Sequence, residues 1–225
     1  MVQAIGRVRA AKNRVLRRRV VALIVAHVIF GFANALLRLS GQGNDPSTAM
    51  VLALGNRLGL SLTAMSLIVY GLYFMIQFRA DRSLVGVGTF INWVFVGVLT
   101  DACYALYQRC LPLPPALTWR LGATLASIVL FSLAASLYQT AALGISPYDS
   151  LSIALSRKAG LPYTGCRILT DSLNVLLCAS LGGVLGVGTL ICAVGIGPII
   201  AFFNRNVSQR LIGINSTAAQ ERMCF

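Results

Sequence analysis

Apolar residues run along this chain in long stretches rather than in the short amphipathic periods of a soluble helix. Six of them, roughly 20–39, 60–78, 84–106, 118–143, 165–181 and 184–204, approach or exceed the ~20 residues that a helix needs to cross a bilayer. The pattern predicts an all-α, polytopic membrane protein with about six transmembrane helices. Polar positions inside these stretches are few, and they recur at three- and four-residue steps, which places them on single helix faces. The fifth stretch carries such a stripe in Thr164, Arg167, Asp171, Asn174 and Cys178, and the second carries Thr63, Ser66, Tyr70, Tyr73 and Gln77. A third stripe, His27, Gly31, Asn34 and Arg38, lies along the first stretch.

Two further helical segments are too short to span. Gly43-Asn44-Asp45-Pro46-Ser47-Thr48 opens one that runs to about Arg57, and Gly144-Ile145-Ser146-Pro147-Tyr148-Asp149 opens the other. Asp45 and Ser146 suit the N-cap, where a side-chain oxygen accepts from a free backbone N–H. Pro46 and Pro147 suit the first helical position, where the missing N–H costs nothing. Ser146 with Asp149 also fits a relaxed capping box. A short helix at membrane depth must pack on protein or line a wet cavity, because lipid cannot satisfy its terminal backbone groups. Its N-terminus would then suit an anionic group such as a carboxylate. The alternative placement is at the headgroup boundary, capping the bundle.

The two segments sit in matching positions. At an offset of 101, Gly43, Pro46, Gly59 and Thr63 align with Gly144, Pro147, Gly160 and Thr164. After one deletion, Gly86-Val87-Gly88-Thr89 aligns with Gly186-Val187-Gly188-Thr189. Such punctuation in register indicates a duplication. Three spans per copy is an odd number, so the expected architecture is two inverted three-helix repeats, each with a short broken or re-entrant helix. Interrupted segments at corresponding positions of inverted halves point to a midplane site. The glycine runs favour close helix approach, with Thr89, Asn92 and Thr189 as residues that could face a cavity. The expected divisions are a basic arm at 1–19, membrane repeats at 20–106 and 118–204, a linker at 107–117 and a tail at 205–225.

Composition agrees with the pattern: 57% of the 225 residues are hydrophobic, 11% are charged and mean hydropathy is +0.78. The formal charge of +13 would suggest nucleic acid, but the basic residues are sorted by loop. With the N-terminus in the cytoplasm, 15 of the 19 Lys and Arg fall on the inner side and Arg38, Arg57, Arg109 and Arg120 on the outer. That bias satisfies the positive-inside rule for an inner-membrane protein with both termini cytoplasmic. The arm is expected to lie on anionic headgroups. It has no aromatic residue to stack on bases, so nucleic acid is not an expected partner. A signal-peptide reading of the N-terminus is rejected, since cleavage near Ala33-Asn34-Ala35 would remove a helix matched in the second half.

No catalytic set is present: there is one His, no nucleophile elbow and no H-E-x-x-H, and the chain is not expected to be an enzyme. The six cysteines lack C-x-x-C spacing and read as buried thiols, so neither a metal nor a cofactor is expected.

Gly144-Ile145-Ser146-Pro147-Tyr148-Asp149-Ser150-Leu151, Gly186-Val187-Gly188-Thr189 and the spacing from Gly97 to Asp101 resemble the bacterial YczE/YyaS/YitT group of integral membrane proteins. The likeness spans roughly residues 20–205. It implies a bacterial inner-membrane protein, and proposals for the group include small-molecule export. The first copy departs from the motif: Thr48 stands where the second copy has Asp149.

The expected function is a small-solute secondary transporter, an exporter in one version, with its site at the repeat interface. Asn34, Asp45, Tyr70, Tyr73, Asn92, Ser146, Asp149 and Asn174 are the expected solute contacts, and Arg167 with Asp171 the coupling or charge-relay pair. An unpaired Asp or Arg at mid-membrane costs about 2.5 to 3.5 kcal/mol, so these two should face the interior and pair along the helix. The expected partners are lipid, an unknown small organic solute and, with only six spans, a second copy in a homodimer. The rival function is a non-transporting adaptor or regulator of a partner protein.

Overall fold

The computed structural model describes residues 2–110 and 116–212, with the side chains of residues 2–12, 163 and 164 left aside. Every described element is helical: α1 (Val2–Ser40), α2 (Pro46–Leu58), α3 (Leu62–Ala80), a 3-10 turn (Arg82–Leu84), α4 (Val87–Cys110), α5 (Leu117–Ala141), α6 (Pro147–Ala159), α7 (Tyr163–Ser180) and α8 (Val187–Phe203). A π turn (Asn204–Ser208) and α9 (Gln209–Ile212) follow. Five helices are long and apolar enough to cross a membrane: α1 from Asn13, α3, α4, α5 and the run from Val187 to Ile212. The remaining expected span is α7, whose 18 residues include Arg167 and Asp171. Its length is about 27 Å at 1.5 Å per residue.

Two expected boundaries move. The first helix does not start near residue 20 but runs back through the basic arm to Val2. Helix α4 likewise continues to Cys110, through part of the expected linker. Residues 111–115 and most of the expected tail, 213–225, lie outside the described residues, as does Cys224.

The molecule has an apolar outside. Leu176, Leu190 and Val194 are 65%, 67% and 81% exposed, as suits a surface whose solvent is hydrocarbon. Its interior is rich in small and polar side chains. Thr124, Ser132, Ser136 and Thr140 line one face of α5 and are buried, and α5 packs on α1 and α8. Small residues let these helices approach closely, and the hydroxyls of Thr124, Ser136 and Thr140 find partners in Arg120 O, in Ser40 and Ser208, and in Asn204. Pro198 lies inside α8, which runs on to Phe203, where the π turn follows. There Asn204 Oδ1 accepts from Ser136 Oγ at 2.7 Å and Thr140 Oγ1 at 3.1 Å. Among the cysteines, Cys166, Cys178 and Cys192 are buried as expected, whereas Cys103 is half-buried and Cys110 exposed.

The order long, short, long, long occurs twice, and the halves cross. Helix α2 packs on α7 as well as on its neighbour α3, and α6 packs on α3 as well as on α7. The repeated glycines are where the crossing is tightest. Gly188 N–H donates to Gln42 O at 2.8 Å, and Gly88 N–H donates to Leu143 O at 2.8 Å. A Cβ at Gly186 would overlap Gln42 O, and one at Gly86 would overlap Leu143 O. Each Gly-Val-Gly-Thr segment therefore sits against the loop that opens the other half's short helix. Gly43 and Gly144 turn those loops at φ 91° and 125°, values that L side chains rarely adopt.

Candidate functional site

Both short helices begin as their sequences predict. Asp45 caps α2, its Oδ2 accepting from Thr48 N–H at 3.1 Å, and Ser146 caps α6, its Oγ accepting from Asp149 N–H at 3.1 Å. Each cap is worth about 1 kcal/mol. Both helices have proline in the first turn and end on a left-handed glycine, Gly59 or Gly160. Their N-terminal turns are buried and their C-terminal ends emerge.

Between the two N-termini is a cavity of about 60 Å³, space for the centres of about four waters. Helix α1 contributes Phe30 and Asn34; α2 and its cap contribute Asp45, Ser47 and Thr48; α3 contributes Tyr70. Asn92 and Val96 of α4, and Phe131, Ala135, Tyr138 and Gln139 of α5, form further walls. Ser146, Tyr148 and Asp149 at the start of α6, Arg167 of α7 and Ile200 of α8 complete the lining.

The α6 side of this cavity is a closed network. Arg167 pairs with Asp149 across helices and with Asp171 one turn along its own helix at 3.4 Å. Tyr148 O–H donates to Asp171, and the Arg167 guanidinium lies over the Tyr148 ring, 5.3 Å from its centroid. Asn174 Nδ2 donates to Thr170 O at 2.7 Å and to Tyr148 Oη at 3.4 Å, and its Oδ1 accepts from Tyr73 O–H at 3.2 Å. One guanidinium between two carboxylates, with the second oxygen of Asp171 hydrogen-bonded to Tyr148, is an arrangement that makes buried charge tolerable.

The α2 side is different. Tyr70 Oη and Ser47 Oγ meet at 3.2 Å, but three buried polar atoms of cavity-lining residues meet no protein partner: Asp45 Oδ1 at the α2 cap, Asn34 Oδ1 of α1 and Tyr138 Oη of α5. Their residues are 8%, 2% and 2% exposed. Unpaired buried oxygens each cost about 1–3 kcal/mol, so a site that gathers three of them is built for something that donates.

Of the expected solute contacts, Asn34, Asp45, Tyr70, Asn92, Ser146 and Asp149 line the cavity. Tyr73 and Asn174 stand one layer back: Tyr73 stacks beside Tyr70 with ring centroids 6.2 Å apart, and Asn174 holds Tyr148. Arg167 reaches the cavity, and Asp171 is behind it, held by Tyr148 and Arg167. Arg167 does not snorkel away from the interior, because Asp149 on α6 draws it inward. Asp45 occupies the N-cap of α2 and Asp149 the first turn of α6, so the chain's own acids already complement both dipoles. Thr189 and Thr89 do not reach the cavity; both are buried where the halves cross, and Thr89 Oγ1 donates to Ile145 O at 2.8 Å.

Sequence reasoning missed Tyr138 and the aromatic walls Phe30 and Phe131. The signal was available, since Phe131, Ala135 and Tyr138 fall at i, i+4 and i+7 and so share one face of α5. His27 packs edge-on against Tyr138, 5.4 Å between centroids, and its Nδ1–H donates to Leu23 O at 2.7 Å. Arg38, on the same stripe, is at the far end of α1, paired with Asp101 at 3.0 Å.

No solved structure matches this chain. An uncharacterized protein of Haemophilus influenzae is 27% identical over 192 residues, 84% of each chain. The uncharacterized membrane protein YczE of Bacillus subtilis is 27% identical over 177 residues, 78% of this chain and 80% of the relative. The profile of a family described as of unknown function, DUF6198, matches residues 17–205, which takes in the helices, the crossing and the cavity; the chain is a polytopic helical membrane protein and belongs to the DUF6198 family.

Proposed function

We propose that this protein is a small-solute secondary transporter of the bacterial inner membrane, built from two inverted three-helix repeats with both termini cytoplasmic. One observation carries the reading: a cavity lies between the N-termini of two matched short helices, and three of its lining residues hold a buried, unpaired oxygen. A cavity of that kind inside a bundle with an apolar exterior has the position and chemistry of a carrier site. The duplicated order of elements and the paired glycine contacts support the repeats. The burial of both N-terminal turns supports re-entrant rather than headgroup-level helices.

In this reading Asp45 and Asn34 contact the solute, while Asp171, Arg167 and Asp149 carry coupling. A proton taken up by Asp171 weakens its pair with Arg167 and releases that side of the cavity. The test is solute flux in proteoliposomes under an imposed pH gradient. Asp171→Asn should abolish the dependence on the gradient, and Asp45→Asn should lower flux at least tenfold. Asn174→Leu and Tyr70→Phe separate the carrier from a non-transporting adaptor: cellular activity that survives both changes, together with no flux by the wild type, would rule the carrier out.

A further inference from the structure

We propose that the cavity binds a compact primary ammonium group, held by Asp45, Asn34 and Tyr138. The inference names the substrate class of the carrier site and so rests on that reading. Three features point to it. The unpaired atoms, Asp45 Oδ1, Asn34 Oδ1 and Tyr138 Oη, can all accept a hydrogen bond, and a primary ammonium offers three donors. Besides the tyrosines, the ionisable groups described around the cavity are three carboxylates, Asp45, Asp149 and Asp171, and one guanidinium, Arg167, which the last two engage. Asp45 forms no salt bridge among the described residues, Arg167 attracts it only at longer range, and with three carboxylates to one guanidinium a solute carboxylate would be repelled and a cation held. Finally, the same cavity is lined by the rings of Phe30, Phe131 and Tyr70, and aromatic faces attract a cation and accept a short alkyl chain. A cavity of about 60 Å³ limits the solute to a few heavy atoms.

Ethylammonium is the probe. Purified full-length protein in detergent micelles should bind radiolabelled ethylammonium saturably, with displacement by methylammonium and none by acetate. Asp45→Asn keeps a side-chain oxygen for the α2 cap, so the helix should form while affinity falls at least tenfold. Asn34→Leu should also weaken binding, whereas Asp81→Asn, far from the cavity, should not. Competition by acetate, displacement by equimolar sodium, or wild-type affinity in Asp45→Asn would each overturn the ammonium assignment. Should a variant misfold, the wild-type competition series decides alone. Flux in proteoliposomes separates the two readings: ammonium binding without flux leaves the site and removes the carrier, and flux of another solute class without ammonium binding does the reverse.

Discussion

The two short helices begin alike and serve unlike surroundings. At α6 both carboxylates are paired: Asp149 and Asp171 flank Arg167, Tyr148 bonds to Asp171, and Asn174 braces Tyr148. At α2 the cap carboxylate has one oxygen engaged and the other unpaired, facing a cavity that two more unpaired oxygens line. The backbone device is the same at both helices while the charges differ, and one difference at matching positions, Thr48 against Asp149, decides which N-terminus needs a guanidinium opposite it. The lesson is that two matched short helices can pair the charges on one side of a cavity and leave the other side open for a ligand.

That contrast can be broken most forcefully at Arg167. Arg167→Met strands two carboxylates and should cost about 3 kcal/mol of unfolding free energy, the low end for breaking a buried pair because the guanidinium is partly exposed. Asp45→Asn, which strands nothing, should cost less than about 0.5 kcal/mol. Denaturant unfolding in micelles compares the two; equal losses would erase the distinction between the helices.

The crossing of the halves should respond symmetrically. Gly86→Ala and Gly186→Ala each force a methyl into a backbone carbonyl, Leu143 O or Gln42 O, and each should lose about 2 kcal/mol. If one is tolerated and the other is not, the contacts are not equivalent. Smaller still is the cap of α6. Ser146→Ala should cost about 1 kcal/mol while leaving ethylammonium binding in place, since Ser146 Oγ is already used by Asp149 N–H.

The smallest effect lies between helices, at Asp81. It accepts from Ser83 and pairs with Arg157 near the end of α6. The Ser83 hydrogen bonds, more than the guanidinium, hold its carboxyl below the usual range. A lowered carboxylate stabilises the fold above its unfolded value, near 3.9, and loses that contribution as pH falls through its folded value. The exposed pair is worth under about 1 kcal/mol. Melting at about pH 5 and about pH 3 should therefore show Asp81→Asn costing more stability at the higher pH than at the lower.

The scaffold was legible in the sequence wherever a residue type has one physical use. Proline after a capping residue set both short helices, apolar run length set the long ones, and the repeated glycines marked close approach, although their partner, the other half's loop, could not be read from either copy. The stripe Arg167, Asp171 and Asn174 was legible as a face, but the answering groups Asp149 and Tyr148 come from another helix. Tyr138 was the harder case: a tyrosine in an apolar run looks like packing until the neighbouring helices show that its hydroxyl has no partner. The helical continuation of the basic arm was missed because charge pattern reports which compartment a segment occupies, not whether it stops being helical.

The central claim is that the open oxygens at α2, and not the paired charges at α6, take the solute. Solid-state NMR with 15N-ethylammonium and 13Cγ-labelled aspartate tests it at the atoms concerned. The prediction is strong dipolar dephasing of one aspartate carboxyl, at hydrogen-bonding range, that disappears in Asp45→Asn. Dephasing that survives in Asp45→Asn, or none at saturating ethylammonium, would contradict the account.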